Sequence, residues 1–330
     1  MPRAVLIGGT GMIGRAAART LAGDGWEVVA VSRSGTLPDG LAELGVESVA
    51  ADRADDAQLR AAIGAGADFV LDTVAFDRGH GEQLNGLAGV VGSVAVVSSA
   101  SVYADDDGRA LDGEGGEPPV MPVPILETQR TAEPGDATYS TRKAELEQTL
   151  LEGPLDATLL RACAIHGPGA QLPRELFFVK RILDGRKQVA LAWNGESRFH
   201  TTSVANLAEL IRLVAAQPGV RLLNAGDPDP PSTLEICGAV GAALDQELEP
   251  VLLPDGSFGN PWAVPRPFVV SMEAAERELG YRPVTTYPEA VRVTCAWIVA
   301  ELEGGRTWDG TYLADTLDYA AEDEAIGARA

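Results

Sequence analysis

Basic residues are in short supply. The 330-residue chain carries 26 Lys and Arg against 48 Asp and Glu, a formal charge of −22. Nucleic acids and anionic membrane surfaces both require a basic face to neutralise phosphates, so neither is an expected partner. An anionic cofactor is not excluded, because a helix N-terminus and one or two arginines hold phosphate locally. Cysteine is equally sparse. Cys163, Cys237 and Cys295 are odd in number, widely spaced and outside any Cys-x-x-Cys pattern, which argues for buried thiols in a reducing cytoplasm rather than a disulfide framework. The histidines lack carboxylate or cysteine companions at ligand spacing, so no metal is expected. No apolar run approaches the roughly 20 residues of a membrane helix, and the opening residues lack the pattern of a signal peptide. A soluble protein is expected.

What the chain does have is a core. Hydrophobic residues make up 45%, and the length suits a large domain with a smaller companion. Short apolar runs alternate with amphipathic stretches. Strands are expected at Ala4–Ile7, Glu27–Val31, Val46–Ala50, Phe69–Val74 and Ser93–Ser98. Helices are expected from Met12 to about Ala22, near Asp56–Ile63 and near Glu82–Val90. This is βαβ wiring, and Val/Ala/Leu runs without polar alternation mark strands covered on both faces, as in a parallel sheet. The fold class is therefore α/β, a Rossmann-like doubly wound sheet over residues 1–165. A smaller α/β part, mainly 166–320, would bind substrate, with about 199–216 returning to the first domain and 321–330 a frayed acidic tail. Ala104 to Asp136, rich in Gly, Pro and Asp, reads as a long loop, either a mobile flap or an inert insertion.

The chemistry begins at Gly8-Gly9-Thr10-Gly11-Met12-Ile13-Gly14. It follows a strand and opens a helix, the context a dinucleotide loop requires, although its spacing departs by one residue from Gly-x-Gly-x-x-Gly. Gly8 would permit the tight turn, Gly11 close approach of a pyrophosphate, and Gly14 the packing of helix on strand, with Thr10, Met12 and Ile13 completing the loop. The second strand ends at Val31-Ser32-Arg33-Ser34, where an acid would ordinarily grip the ribose of NAD. Arg33 instead suits the 2'-phosphate of NADP, so NADP(H) is favoured over NAD(H). Asp52 is a candidate acceptor for the adenine amino group. Tyr139-Ser140-Thr141-Arg142-Lys143 places a phenol and an ammonium on one helical face, where the cation lowers the phenol pKa and readies it for proton transfer.

With these segments come Ser98-Ser99-Ala100-Ser101-Val102-Tyr103, Leu160-Arg161-Ala162-Cys163-Ala164-Ile165-His166-Gly167-Pro168-Gly169, Phe199-His200, Leu223-Asn224-Ala225-Gly226 and Glu278-Leu279-Gly280-Tyr281-Arg282-Pro283. In this order the chain resembles, over nearly its full length, an extended short-chain dehydrogenase/reductase of the NAD-dependent epimerase/dehydratase family. The resemblance implies a Ser/Tyr/Lys triad of Ser99, Tyr139 and Lys143, with Ser101 as the alternative hydroxyl. Tyr139 would exchange a proton with the substrate oxygen, Lys143 would also bind the nicotinamide ribose, and Ser99 would orient the substrate. It further implies a homodimer through a helical bundle around the Tyr helix. Candidate substrate residues are Phe76, Ser101, Tyr103, His166, Arg198 and His200.

Departures bear on the substrate. Glu196 stands where nucleotide-sugar enzymes of this kind often carry an arginine, and Arg198, on the same face of an extended strand, could recover that role. Thr202 and Ser203 replace an Asp-Asp, and His166 stands where Tyr is common. The leading expectation is an NADP(H)-preferring oxidoreductase interconverting a secondary alcohol and a ketone on a sugar-like or natural-product substrate. The alternatives are a nucleotide-sugar epimerase with tightly held NAD(P) and a non-catalytic NADP-binding sensor or scaffold.

Overall fold

Unbroken apolar runs become strands whose alternate residues feed two different layers. In a computed structural model, which describes residues 1–113, 116–308 and 316–328, the first half comprises β1 (Arg3–Ile7), α1 (Met12–Gly23), β2 (Glu27–Ser32), β3 (Glu47–Ala50), α2 (Asp56–Ile63), β4 (Ala67–Asp72), α3 (Arg78–Asn85), β5 (Val91–Ser99) and α4 (Tyr139–Leu151). Then follow β6 (Ala157–Ala162), β7 (Ala164–His166), α5 (Leu176–Leu183), β8 (Gln188–Leu191), β9 (Thr201–Ser203), α6 (Val204–Ala216), β10 (Arg221–Ala225), α7 (Thr233–Ala243), β11 (Glu249–Leu252), α8 (Glu273–Leu279), α9 (Tyr287–Glu303) and α10 (Tyr319–Gly327).

Seven parallel strands form the central sheet in the order β10-β6-β5-β4-β1-β2-β3. Ala4 and Leu6, with Val28 and Ala30, pack under α1, α6 and α8. Val5 and Ile7, with Val29 and Val31, face the layer of α2, α3 and α4. Strand order reverses between β1 and β4, and in doubly wound sheets the crevice for ligands opens at that point, beyond the carboxyl ends of the strands. The fold class read from the sequence is thus the one observed.

A second core brings α5, α7 and α9 together with the two-stranded pair β8-β11, around Phe177, Phe178, Ile236, Trp262 and Tyr287. The short pair β7-β9 lies between the two cores in sequence and carries His166. Strands β7, β8, β9 and β11 and helix α8 were absent from the sequence reading, being only three to seven residues long. Helix α3 lies earlier than expected because Asp77 caps it, accepting from the His80 N–H, whereas Gly79 and Gly81 argue locally against a helix.

The loop before α4 is stapled down over its described part. Asp105 accepts hydrogen bonds from the backbone N–H groups of Asp107, Arg109 and Val120 and pairs with Arg109. Ile125 bridges to Val270, and Asn224 donates to the Ile125 carbonyl. Glu114 and Gly115, within the glycine-rich stretch read as loop, lie outside the described residues.

The expected frayed tail is a helix instead. Glu322 of α10 is fully buried and pairs with the equally buried Arg181 of α5 at 3.0 Å, while also accepting from the Ala190 N–H. A carboxylate in an acidic, alanine-rich stretch looks solvated until its partner, 141 residues earlier, is known. Arg329 and Ala330 lie outside the described residues. Glu322→Ala would strip the buried Arg181 of its counterion, at a cost of about 3–5 kcal/mol. Chemical denaturation should therefore show a markedly lower midpoint for that variant, with Glu322→Gln, which keeps an acceptor, falling in between. An unchanged midpoint in both would mean that the pair contributes nothing.

Candidate active site

Where β1 turns into α1, Gly8 has φ +77°, the left-handed region, and a Cβ there would collide with Thr73 Oγ1. A Cβ on Gly14 would collide with the Gly8 carbonyl and Gly9 Cα, so the helix lies directly against the turn. Gly11 is the N-cap of α1; it offers no side chain to cap the first N–H groups, and the first turn carries no acid. A helix start that leaves its N–H groups open, on a loop that only glycine permits, fits a pyrophosphate. The loop lines a cleft of about 1050 Å³ with Thr10, Met12, Ile13, Ser32, Arg33, Ser34, Asp52 and Arg53.

Arg33 is exposed, and no ion pair or hydrogen bond engages its guanidinium among the described residues. Asp52 uses one carboxylate oxygen to cap its own turn at the Ala54 N–H. Its neighbour Arg53, missed in the sequence, reaches inward to the buried Asp72 at 2.7 Å. A basic residue following an Asp in a loop carries no local sign of that pairing.

Ser99, Ser101 and Tyr139 line the same cleft. Ser99 ends β5 and accepts from the Ser101 N–H at 3.1 Å. The Ser101 hydroxyl is buried without a partner among the described residues. Tyr139 opens α4, capped by Thr138 in a capping box, and is 46% exposed. Its ring packs against Phe76 with centroids 5.6 Å apart. One turn on, Lys143 lies almost fully buried, its Nζ donating to the Ala75 carbonyl at 2.7 Å and the Val97 carbonyl at 3.0 Å, 5.8 Å from the centre of the Tyr139 ring. An ammonium has three donors, so one remains for a ligand hydroxyl.

Burial lowers the Lys143 pKa to about 8, against the carboxylates of Asp72 and Glu147, which raise it, and with Arg53, which lowers it further. Burial also raises the Tyr139 phenol above its ordinary value; a hydrogen bond with Ser99 works in the opposite direction and the charge of Asp112 in the same one. Asp112 comes from the long loop, whose Leu111 lines the cleft, and it accepts from the Ser140 N–H at 2.9 Å. Neither residue was singled out in the sequence.

A family model described as the NAD dependent epimerase/dehydratase family matches residues 4–226. The chain belongs to that family. Sequence comparison with curated proteins returns no match. Among solved structures, it is similar to a UDP-glucose 4-epimerase from Stenotrophomonas maltophila with bound NAD and formylated UDP-arabinopyranose, at 19% identity and TM-score 0.71, covering 92% of this chain and 100% of that one. It is also similar to the Bifidobacterium longum UDP-glucose 4-epimerase in complex with NAD+ and UDP, at 18% identity and TM-score 0.68, covering 92% and 99%. A dTDP-glucose 4,6-dehydratase from Bacillus anthracis in complex with NAD gives 16% identity and TM-score 0.69, covering 92% and 98%. As a member of the NAD-dependent epimerase/dehydratase family, the protein is an extended short-chain dehydrogenase/reductase enzyme using a nicotinamide cofactor.

Within this epimerase/dehydratase frame, four of the residues expected beside the substrate are elsewhere. Tyr103 is fully buried, its hydroxyl donating to Asn224 Oδ1 at 2.6 Å and its ring stacked under Arg161. His166 is buried with Nε2 2.9 Å from Asp227, and its ring packs on Tyr287. His200 is buried between the Asp227 carbonyl and the Val270 N–H. Arg198, expected to face an anion, donates to the Pro230 carbonyl and pairs with Glu235 at 3.3 Å, at the start of α7. Its charge is already answered. Phe76 packs on the Tyr139 ring without lining the cleft, and Ser101 alone of the six lines it directly. The sequence reading missed Gln171, Leu172, Arg174 and Phe268 in the lining, because a loop's inward side chains have no periodicity to announce them.

With Tyr139 as the base in alcohol oxidation, the expected rate climbs as pH passes the Tyr pKa. Asp112→Asn removes a charge that raises this pKa and keeps an acceptor for the Ser140 N–H. The rising limb of kcat/KM for alcohol oxidation should accordingly move to lower pH in the variant. A limb that stays in place would remove Asp112 from the field felt by Tyr139.

Proposed function

We propose that the protein oxidises a secondary alcohol of a sugar-like substrate and then re-reduces the ketone, the redox-neutral cycle of an epimerase, with NADP(H) preferred over NAD(H). The observation that carries this reading is that Ser99 and Tyr139 line the cleft that the glycine loop opens, with the Lys143 ammonium buried 5.8 Å from the Tyr139 ring centre. When bound, the nicotinamide accepts a hydride from the carbinol carbon and later returns it.

The protein's own part is proton handling. Tyr139 as phenolate takes the hydroxyl proton while the C–H bond gives up its hydride, and in re-reduction the phenol returns a proton to the alkoxide oxygen. Lys143, fixed on two carbonyls, holds its positive charge beside the phenolate, and its third N–H is placed for a ribose hydroxyl. Ser99, beside Tyr139 in the cleft, works against the rise in its pKa and orients the substrate oxygen, where charge develops.

The family membership supports the redox-neutral cycle over the net oxidoreductase and over a non-catalytic scaffold. Dehydration is disfavoured because Ala100 and Ser101, not acids, follow Ser99. Support for NADP(H) comes from Arg33, which has no carboxylate partner and no acid beside it at the end of β2. The same reading includes a cytoplasmic setting, supported by three free thiols, and a homodimer through the outward faces of α3 and α4. No helix among the described residues is long and apolar enough to cross a membrane.

Three measurements test the reading. Mass spectrometry of nucleotide released from freshly denatured protein should find stoichiometric NADP(H), because a cycle that regenerates its cofactor has no need to release it. An empty site with fast exchange would favour the net reductase. Arg33→Ala should weaken NADPH binding on the order of tenfold to a hundredfold with NADH nearly unchanged, whereas equal losses would remove the 2'-phosphate contact. Tyr139→Phe should reduce turnover about 10²–10⁴-fold without loss of cofactor; undiminished turnover would overturn the acid-base role.

A further inference from the structure

The reading above leaves open what the substrate carries besides its alcohol, and the present inference rests on that reading. The later segments contribute a wall to the cleft that is largely apolar: Leu111, Ile165, Leu172, Phe199 and Phe268. Arg174 is the cation in that wall. It is half-buried, and among the described residues its guanidinium has neither an ion-pair partner nor a hydrogen-bond acceptor. Its Cζ lies over the Phe199 ring, 5.7 Å from the centroid, and Phe199 packs in turn on Phe268 at 5.9 Å.

Two acids adjoin the region without answering this charge. Glu175 is buried and receives the Tyr287 hydroxyl, and Glu235 is taken by Arg198 and the start of α7. A chain with a net charge of −22 thus leaves an arginine without a carboxylate partner on the wall of its functional cleft. A guanidinium that lies over an aromatic ring and has no acceptor of its own keeps its N–H groups available to a carboxylate or phosphate, which it receives by paired hydrogen bonds.

The extent of the cleft indicates the size of the molecule bearing the anion. Its lining stops at Phe199, Phe268 and Arg174 and includes nothing from residues 193–198 or 227–235. Arg198, the arginine expected to meet a nucleotide diphosphate, is engaged by Glu235 and lies outside this lining.

We propose that Arg174, over the Phe199 ring, binds an anionic group carried directly on the sugar-like substrate, a phosphate ester or a carboxylate. It thereby selects a compact anionic sugar over a neutral sugar and over a nucleotide sugar.

Calorimetric titration of cofactor-saturated protein with glucose 6-phosphate, glucuronate, glucose and UDP-glucose tests this by binding alone, independently of turnover. At least one of the first two should bind on the order of tenfold or more tightly than glucose, and the one preferred tells a phosphate from a carboxylate. Arg174→Gln should abolish that preference while glucose affinity, cofactor affinity and thermal midpoint remain as in the wild type. Arg174→Lys should restore part of it, keeping the charge without the planar fork. The inference is overturned if neither anionic sugar outbinds glucose, if the preference survives Arg174→Gln, or if UDP-glucose binds most tightly. Each of these results leaves the Tyr139 and cofactor tests untouched, so the substrate inference can fail while the proposed cycle stands.

Discussion

One buried carboxylate holds the two halves of the molecule in register. Asp227, just past β10, receives His166 from β7, the Thr201 hydroxyl and Ser203 N–H from β9, and the Asn206 amide from α6. Asn206 in turn accepts from Val284 and Thr285, ahead of α9. Burial would raise the Asp227 pKa, but these donors, His166 first, hold it at about 2; burial would likewise lower His166, which Asp227 keeps raised. The acid therefore stays charged because its donors converge from three elements, β7, β9 and α6, and the imidazolium stays charged because the acid does. Such a pair contributes fully between the unfolded values of roughly 4 and 6.5, losing its effect as pH falls through the depressed acid or rises through the elevated histidine. Breaking it would leave an uncompensated charge in the interior. The segment that follows His166 lines the cleft, so cleft shape depends on this junction.

The Rossmann half was legible because its information is local. A strand buried on both faces is a continuous apolar run, and a dinucleotide turn is a cluster of glycines followed by a helix. Tyr139 and Lys143, four residues apart on α4, keep that spacing on folding, whereas Ser99 was reached only through the family resemblance. The second half was less legible because its order rests on distant pairs. Arg181 and Glu322 are 141 residues apart, and neither is unusual in its own neighbourhood. Arg198 illustrates the limit from the other side. Strand alternation gives its face, but its partner Glu235 is decided by where α7 begins, and that partner determines whether the guanidinium is available to a ligand.

His166 and Tyr103 were placed at the site for their chemistry and are in the core for the same reason. An imidazole or phenol can be buried when its polar end is satisfied, and Asp227 and Asn224 provide that here. Lys143 is the productive counterpart. Two carbonyl acceptors make its burial tolerable without saturating it, and the carboxylates of Asp72 and Glu147 favour its charge against burial.

The long loop before α4 joins two properties usually discussed apart. Leu111 shapes the cleft, and Asp112, its neighbour, acts on the Tyr139 proton and receives the Ser140 N–H. Substrate fit and proton affinity are therefore inherited together. Divergence or engineering that exchanges this loop to admit a new molecule would also reset the acidity at which the enzyme works best. A graft from a relative would import the donor's pH optimum along with its specificity.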